Sequence, residues 1–310
     1  MDLLADALRV SGARGSVGTR LVAGGTWGLW LDSFPGAALH AVSAGTMWLD
    51  VPGERPRRLD TGDVVLLPPG TAHGLSSEPG VAMGPCDKEA AAQARSAGRV
   101  VRLGSGPVRA KLLTLHYEQD EEVSTPVFAA LTAPMHVPAR DNASLEGCIR
   151  LLAEELAHPQ IGTTAAVNSL IDLLLVQFVR AWLGSHPAER SSSWLNAVLD
   201  PVVRDALARI HQEPGRPWTT ATLAAAIRVS RATLSRRFPA ALGQTPGAYL
   251  TQWRMDLAAL RLRDTDEPID TMASAVGYAS PQAFSRAFRR ARGLAPGEYR
   301  GALRRQRSSR

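Results

Sequence analysis

Cysteine is scarce, with Cys86 and Cys148 the only two in 310 residues. Two thiols make no disulfide framework of the kind that holds small secreted domains together. Long apolar runs are missing too. A membrane span needs about eighteen apolar residues, and the longest stretch, Leu170 to Val179, is interrupted by Asp172 and Gln177. Met1-Asp2 opens no charged-then-apolar signal peptide. No Ser/His/Asp set and no pair of carboxylates stands out as a catalytic arrangement. These absences predict a cytoplasmic protein with no membrane partner and no catalytic residue. The thiols read as buried or incidental, with redox sensing left open for Cys86, which follows Gly84-Pro85 in a turn.

What is present is arginine, unevenly placed. From Asp200 onward there are 19 Arg against 9 Asp+Glu, a balance of +10, while residues 1–199 carry −4. The length allows two domains with separate cores. A basic half joined to an acidic half points to nucleic acid at one end only.

The basic half is organised around a repeat. Ser230 to Phe238 reads SRATLSRRF, and fifty positions later Ser280 to Phe288 reads SPQAFSRAF. A small-residue run precedes each, LAAAIRV from Leu223 and MASAVGYA from Met272. Each unit predicts a short helix, a tight turn and a second helix opened by serine, the form of a helix-turn-helix. In the second helices Leu234/Phe238 and Phe284/Phe288 stand at i and i+4 on one inward face. The outward faces hold Arg231, Ser235 and Arg236, then Gln282, Ser285 and Arg286. Arg forks onto guanine and Gln onto adenine, so these side chains suit base reading. Arg237, Arg289 and Arg290 suit phosphates, which fix register without reading sequence. Between the units Pro246 to Arg263 predicts one rod of roughly 27 Å, long enough with its flanking turns to set two recognition helices about one DNA turn apart, ~34 Å.

Residues 200–300 resemble the DNA-binding domain of the AraC/XylS family of bacterial transcription regulators. The resemblance is carried by HQEPGRPWT, LAAAIRVSRATLSRRF, GQTPGAYLTQWRMDLAALRLRD and PIDTMASAVGYASPQAFSRAFRRARGLAPGEYR. It implies base reading from Arg231, Ala232, Ser235 and Arg236 in the first unit. In the second it implies Gln282, Ala283, Ser285 and Arg286, the two alanines offering methyl contacts alone. The implied partners are double-stranded promoter DNA, a small-molecule effector, RNA polymerase and a second copy of the chain, with no cofactor. Five proline-marked starts, at Pro201, Pro246, Pro268, Pro281 and Pro296, plus helices at Thr220 and Ser230 predict seven short helices.

The first half reads differently. Met1 to Val10 predicts a short amphipathic helix, and Gly15 to Leu75 predicts short strands cut by Gly and Pro, hence a sandwich or barrel. Gly62-Asp-Val-Val-Leu-Leu-Pro68-Pro-Gly70-Thr-Ala-His73 resembles the second motif of the cupin fold, with Ser77 where that motif ends in Asn. His40 stands where the first motif supplies ligands, but is followed by Ala41-Val42 in place of His-x-His, and the downstream Glu is missing. His40, His73 and His116 are therefore expected to line a ligand pocket or bond structurally, with no metal. Gly84 to Arg102 reads as a polar, Ala-rich insertion.

Two helices follow over residues 144–183. Val167, Leu170, Ile171, Leu174, Leu175, Phe178, Val179 and Trp182 form a wide stripe that must be buried. It either dimerises or packs on the barrel of its own chain, and both can hold. The fold class is thus α+β with two domains: an N-terminal cupin-like β-barrel with flanking helices, and a C-terminal all-α domain of two helix-turn-helix units. The expected divisions are 1–140, a helical dimerisation and linker region at 141–193, and 194–310. A ligand-responsive transcription regulator is the leading reading. A metal-dependent cupin enzyme and an effector-free architectural DNA binder are the rivals.

Overall fold

The computed structural model describes residues 3–10, 14–118, 133–138, 142–185 and 197–308. They form two compact units, one of residues 14–118, 133–138 and 142–185, the other of residues 3–10 and 197–308.

The first unit is two facing sheets. Strands β1 (Arg14–Gly24), β3 (Ala37–Ala44), β6 (Val64–Leu67), β9 (Val101–Gly104), β10 (Ala110–Glu118) and β11 (Met135–Val137) make a six-stranded sheet in the order β11-β6-β3-β10-β1-β9. Strands β2 (Gly28–Leu31), β4 (Met47–Asp50), β5 (Arg57–Leu59), β7 (His73–Ser76) and β8 (Gly84–Pro85) make the other in the order β5-β4-β7-β2-β8. Alternate residues of each strand point inward. Leu21, Val42, Val65 and Leu112 of one sheet and Met47, Leu49, Leu59 and Leu75 of the other therefore share one buried core.

The stretch read as an insertion instead forms a helix, α2 (Lys88–Ser96), whose first turn is capped by the Asp87 carboxylate accepting from Ala90 N at 2.9 Å. Two longer helices, α3 (Ala143–Ala157) and α4 (Thr163–Ser185), pack on each other and on β3, β1 and β11. By length and a mean hydropathy of 1.4, α4 is apolar enough to cross a membrane. Its stripe is instead buried in the unit: Ile171, Leu174, Phe178 and Val179 are each at most 2% exposed. The Tyr117 hydroxyl of β10 donates to Ile171 O at 2.9 Å and ties this helix to the sheet. Packing on the barrel is thus realised within one chain. The sequence also suggests a strand over residues 125–137; residues 125–132 of it lie outside the described residues.

The second unit begins with α1 (Leu3–Val10). It packs through Leu3, Ala7 and Val10 on α5 (Pro201–Gln212) and α8 (Pro246–Asp264), and sets Asp6 Oδ2 3.9 Å from His211 Nδ1. The N-terminal helix lies with the C-terminal helices, whereas the sequence division at 140 puts it with the strands. The other helices are α6 (Thr220–Ala226), α7 (Arg231–Leu242), α9 (Ile269–Ala275), α10 (Pro281–Arg292) and α11 (Pro296–Ser308). With α5 and α8 they are the seven expected after Asp200. Asp200, Thr245 and Ser280 cap helices that start on proline. Pro268 departs from that pattern: it is itself the cap residue, and α9 starts one residue later, at Ile269.

Candidate nucleic-acid interface and the histidine end of the barrel

The fifty-residue repeat is a repeat of local physics. Ser230 and Ser280 each accept from a backbone N–H three residues on, Thr233 N at 3.0 Å and Ala283 N at 3.2 Å, which starts α7 and α10. Leu234, Phe238, Phe284 and Phe288 are fully buried. Gly243 and Gly293, at φ 70 and 75, stop the two helices in the left-handed conformation. Each helix is thus fixed at both ends and held by one apolar stripe, which leaves the opposite face to solvent.

That face carries most of the expected base readers. Arg231, Ala232, Ser235 and Arg236 are exposed in the first unit, Gln282 and Arg286 in the second, while Ala283 and Ser285 are half-buried. Arg231, Arg236, Arg286 and Arg290 make no ion pair among the described residues. Their guanidinium groups are free to meet an external anion. The other two arginines assigned to phosphates differ. Arg237 Nε and Nη2 both lie 2.8 Å from Asp200 Oδ2, and Asp200 also caps α5 through Val202 N at 2.9 Å. Arg237 therefore ties α7 to the start of α5, with its side chain still 41% exposed. Arg289 pairs with Glu298 at 3.2 Å with both side chains more than half exposed, so a phosphate competes for it easily. Neither pairing is readable from spacing along one helix.

The helix between the units is 19 residues long, about 28 Å at the usual rise. Below it, Arg292 of α10 and Asp256 of α8 form an ion pair with both side chains 1% exposed. This fixes the second recognition helix to the rod.

Within the barrel, buried His40 on β3 and His73 on β7 meet across the two sheets, with Nε2 atoms 2.8 Å apart. His73 Nδ1 lies 3.1 Å from Thr71 O and His40 Nδ1 3.0 Å from Thr114 Oγ1. A carbonyl only accepts, so neutral His73 carries its proton on Nδ1. His40 must then donate from Nε2, and the Thr114 hydroxyl donates to His40 Nδ1. Burial, then His73 and His116, lower the pKa of His40 well below that of a free imidazole. Burial also lowers that of His73, against the bond to Thr71. His116, stacked on Phe34 at 4.4 Å, is held down to about 4 by burial, then by Arg95 and His73. All three are neutral at pH 7. Thr114 was not expected here. It faces His40 through the β3–β10 register, a pairing that becomes visible only when the sheet is assembled. Among the described residues no group of three His, Cys, Asp or Glu side chains comes together to hold a metal ion.

The family patterns described as cupin and as helix-turn-helix domain match residues 2–184 and 223–302. Over 303 residues, 97% of this chain and 98% of its relative, it is 35% identical to a protein of Streptomyces lividans described as an AraC-like transcription regulator. It is 28% identical over 304 residues to the HTH-type transcriptional regulator MtrA of Neisseria gonorrhoeae, again covering 97% and 98% of the two chains. A third relative is the RCS-specific HTH-type transcriptional activator RclR of Escherichia coli, 28% identical over 306 residues that cover 98% and 99%. With paired, serine-capped recognition helices behind a cupin-type N-terminal domain, and end-to-end likeness to such regulators, this chain belongs to the AraC family of transcription regulators.

Proposed function

We propose that this regulator binds promoter DNA sequence-specifically, laying α7 and α10 in successive major grooves, and that an effector bound beside the barrel histidines biases that binding. The observation that carries the reading is the pair of exposed, arginine-bearing faces, one on α7 and one on α10, on either side of the 19-residue helix α8. Arg231, Arg236, Gln282 and Arg286 read base edges, Ala232, Ala283, Ser235 and Ser285 give close apolar or hydroxyl contacts, and Arg290 with Arg289 grips phosphates. The effector is a small molecule with uncharged polar groups, because His116, held neutral beside the His40–His73 pair, has ring nitrogens that make no hydrogen bond among the described residues. Those of His40 and His73 are engaged by Thr114, Thr71 and each other. Linkage is the mechanism: a ligand that favours one arrangement of the protein changes DNA affinity by its differential affinity for the two states.

We also propose a cytoplasmic homodimer built on the α3–α4 hairpin. Leu151, Ile161 and Leu173 stand 48%, 107% and 42% exposed there, although α4 already buries its main stripe. RNA polymerase is the downstream partner when the site lies beside a promoter. A gel shift with DNA from upstream of the gene tests the reading. Arg236→Ala and Arg286→Ala are each expected to weaken specific binding, and unchanged specific affinity in both variants would sink the assignment of the reading helices.

A further inference from the structure

The two helix-turn-helix turns are built alike and filled differently. Each first helix ends in the same paired bonds, Arg228 N to Ala225 O at 3.1 Å and Val229 N to Ala224 O at 3.0 Å in the first unit. In the second, Gly277 N reaches Ser274 O at 3.0 Å and Tyr278 N reaches Ala273 O at 2.9 Å. This closure needs one residue in the left-handed region, where glycine is the usual occupant because a Cβ is disfavoured there. Gly277 has φ 84 and meets the rule; a Cβ added to it would also lie 2.4 Å from Gly215 O. The first unit puts Arg228 in the same place at φ 57, the one non-glycine residue with positive φ among the described residues.

The arginine stands against its own backbone preference. Its side chain is exposed and makes no hydrogen bond or ion pair among the described residues. Strain of this kind gathers where a side chain is needed for a task. The turn's position says which task. Leu223 to Ser230 is one residue shorter than Met272 to Ser280, so Arg228 sits only two residues before the cap of α7. Two Cα steps span at most about 7.6 Å. A helix of about 10–12 Å diameter fills a major groove of about 12 Å, so a long cation just outside its N-terminal end lies against the phosphate wall.

We propose that Arg228 is a DNA-backbone contact, a positioning residue that clamps the entry of the first recognition helix to a phosphate and has no counterpart at Gly277. The inference rests on the DNA-binding reading above. Its test uses the full-length protein and a random-sequence duplex of roughly three helical turns, titrated over a range of salt concentrations, with thermal unfolding of the same samples. Arg228→Gly is expected to raise the thermal midpoint by a few degrees, because the left-handed strain is relieved. The same variant should bind the duplex several-fold more weakly, with the slope of log affinity against log salt reduced by about one. Arg228→Asn, which tolerates the left-handed region but carries no charge, should show the same loss of slope, while Arg228→Lys should retain it. A stabilised Arg228→Gly with unchanged affinity and slope would overturn the proposal, as would a lowered midpoint. Failure of the wild-type protein to bind any duplex would instead remove the DNA-binding reading itself.

Discussion

Arg236 and Arg286 occupy matching positions on the two recognition helices, and each is exposed with no ion pair among the described residues. Replacing either by alanine should cost about 1–3 kcal/mol of specific affinity and relax sequence preference at one base position, leaving non-specific binding nearly intact. Binding isotherms on matched and scrambled duplexes separate the two terms. The barrel histidines supply a second test. Their folded-state pKa values lie below the ordinary value of about 6.5, so the unfolded chain takes up protons first as the medium acidifies. Their contribution to stability is complete above that value and falls as pH drops, for His116 until about 4. The thermal midpoint of His116→Gln should therefore fall less steeply than that of the wild type between pH 6.5 and about 4. Parallel curves would show that His116 is not held neutral by its surroundings.

At the scale of elements, the sharpest expectation concerns the joint between rod and second recognition helix. Asp256→Ala leaves Arg292 as a buried charge without its partner carboxylate, which should destabilise the protein by about 3–5 kcal/mol in denaturant unfolding. A loss below 1 kcal/mol would mean that water reaches the pair. This scale also shows what the sequence could and could not disclose. The duplicated helices were legible because their caps, stripes and stopping residues are local: Ser230 and Ser280, Phe238 and Phe288. The barrel's histidine contact was half legible, since the Pro-Gly turn at Gly70, with φ 79, announces His73 but says nothing of Thr114. The Arg237–Asp200 pair was not legible because the two residues lie 37 positions apart, on different helices. Helix α2 was missed because its stretch carries no apolar stripe and buries only Ala94.

For the molecule as a whole, charge is uneven: residues from Asp200 onward carry +10 and residues 1–199 carry −4, so the basic half is the one suited to DNA. The proposed homodimer on the α3–α4 hairpin has its own test. Leu173→Arg should turn a dimer into a monomer in sedimentation equilibrium, while changing unfolding stability by no more than about 0.5 kcal/mol, as exposed positions usually do. A variant that stays dimeric would place the interface elsewhere. Selection of bound sequences from a random duplex library by the full-length protein tests the twin-groove grip most directly. The recovered motif should contain two conserved blocks with centres one helical turn apart, about 10–10.5 base pairs, and Arg286→Ala should erase preference in only one of them. A single uninterrupted block, or two blocks lost together with that one change, would contradict it.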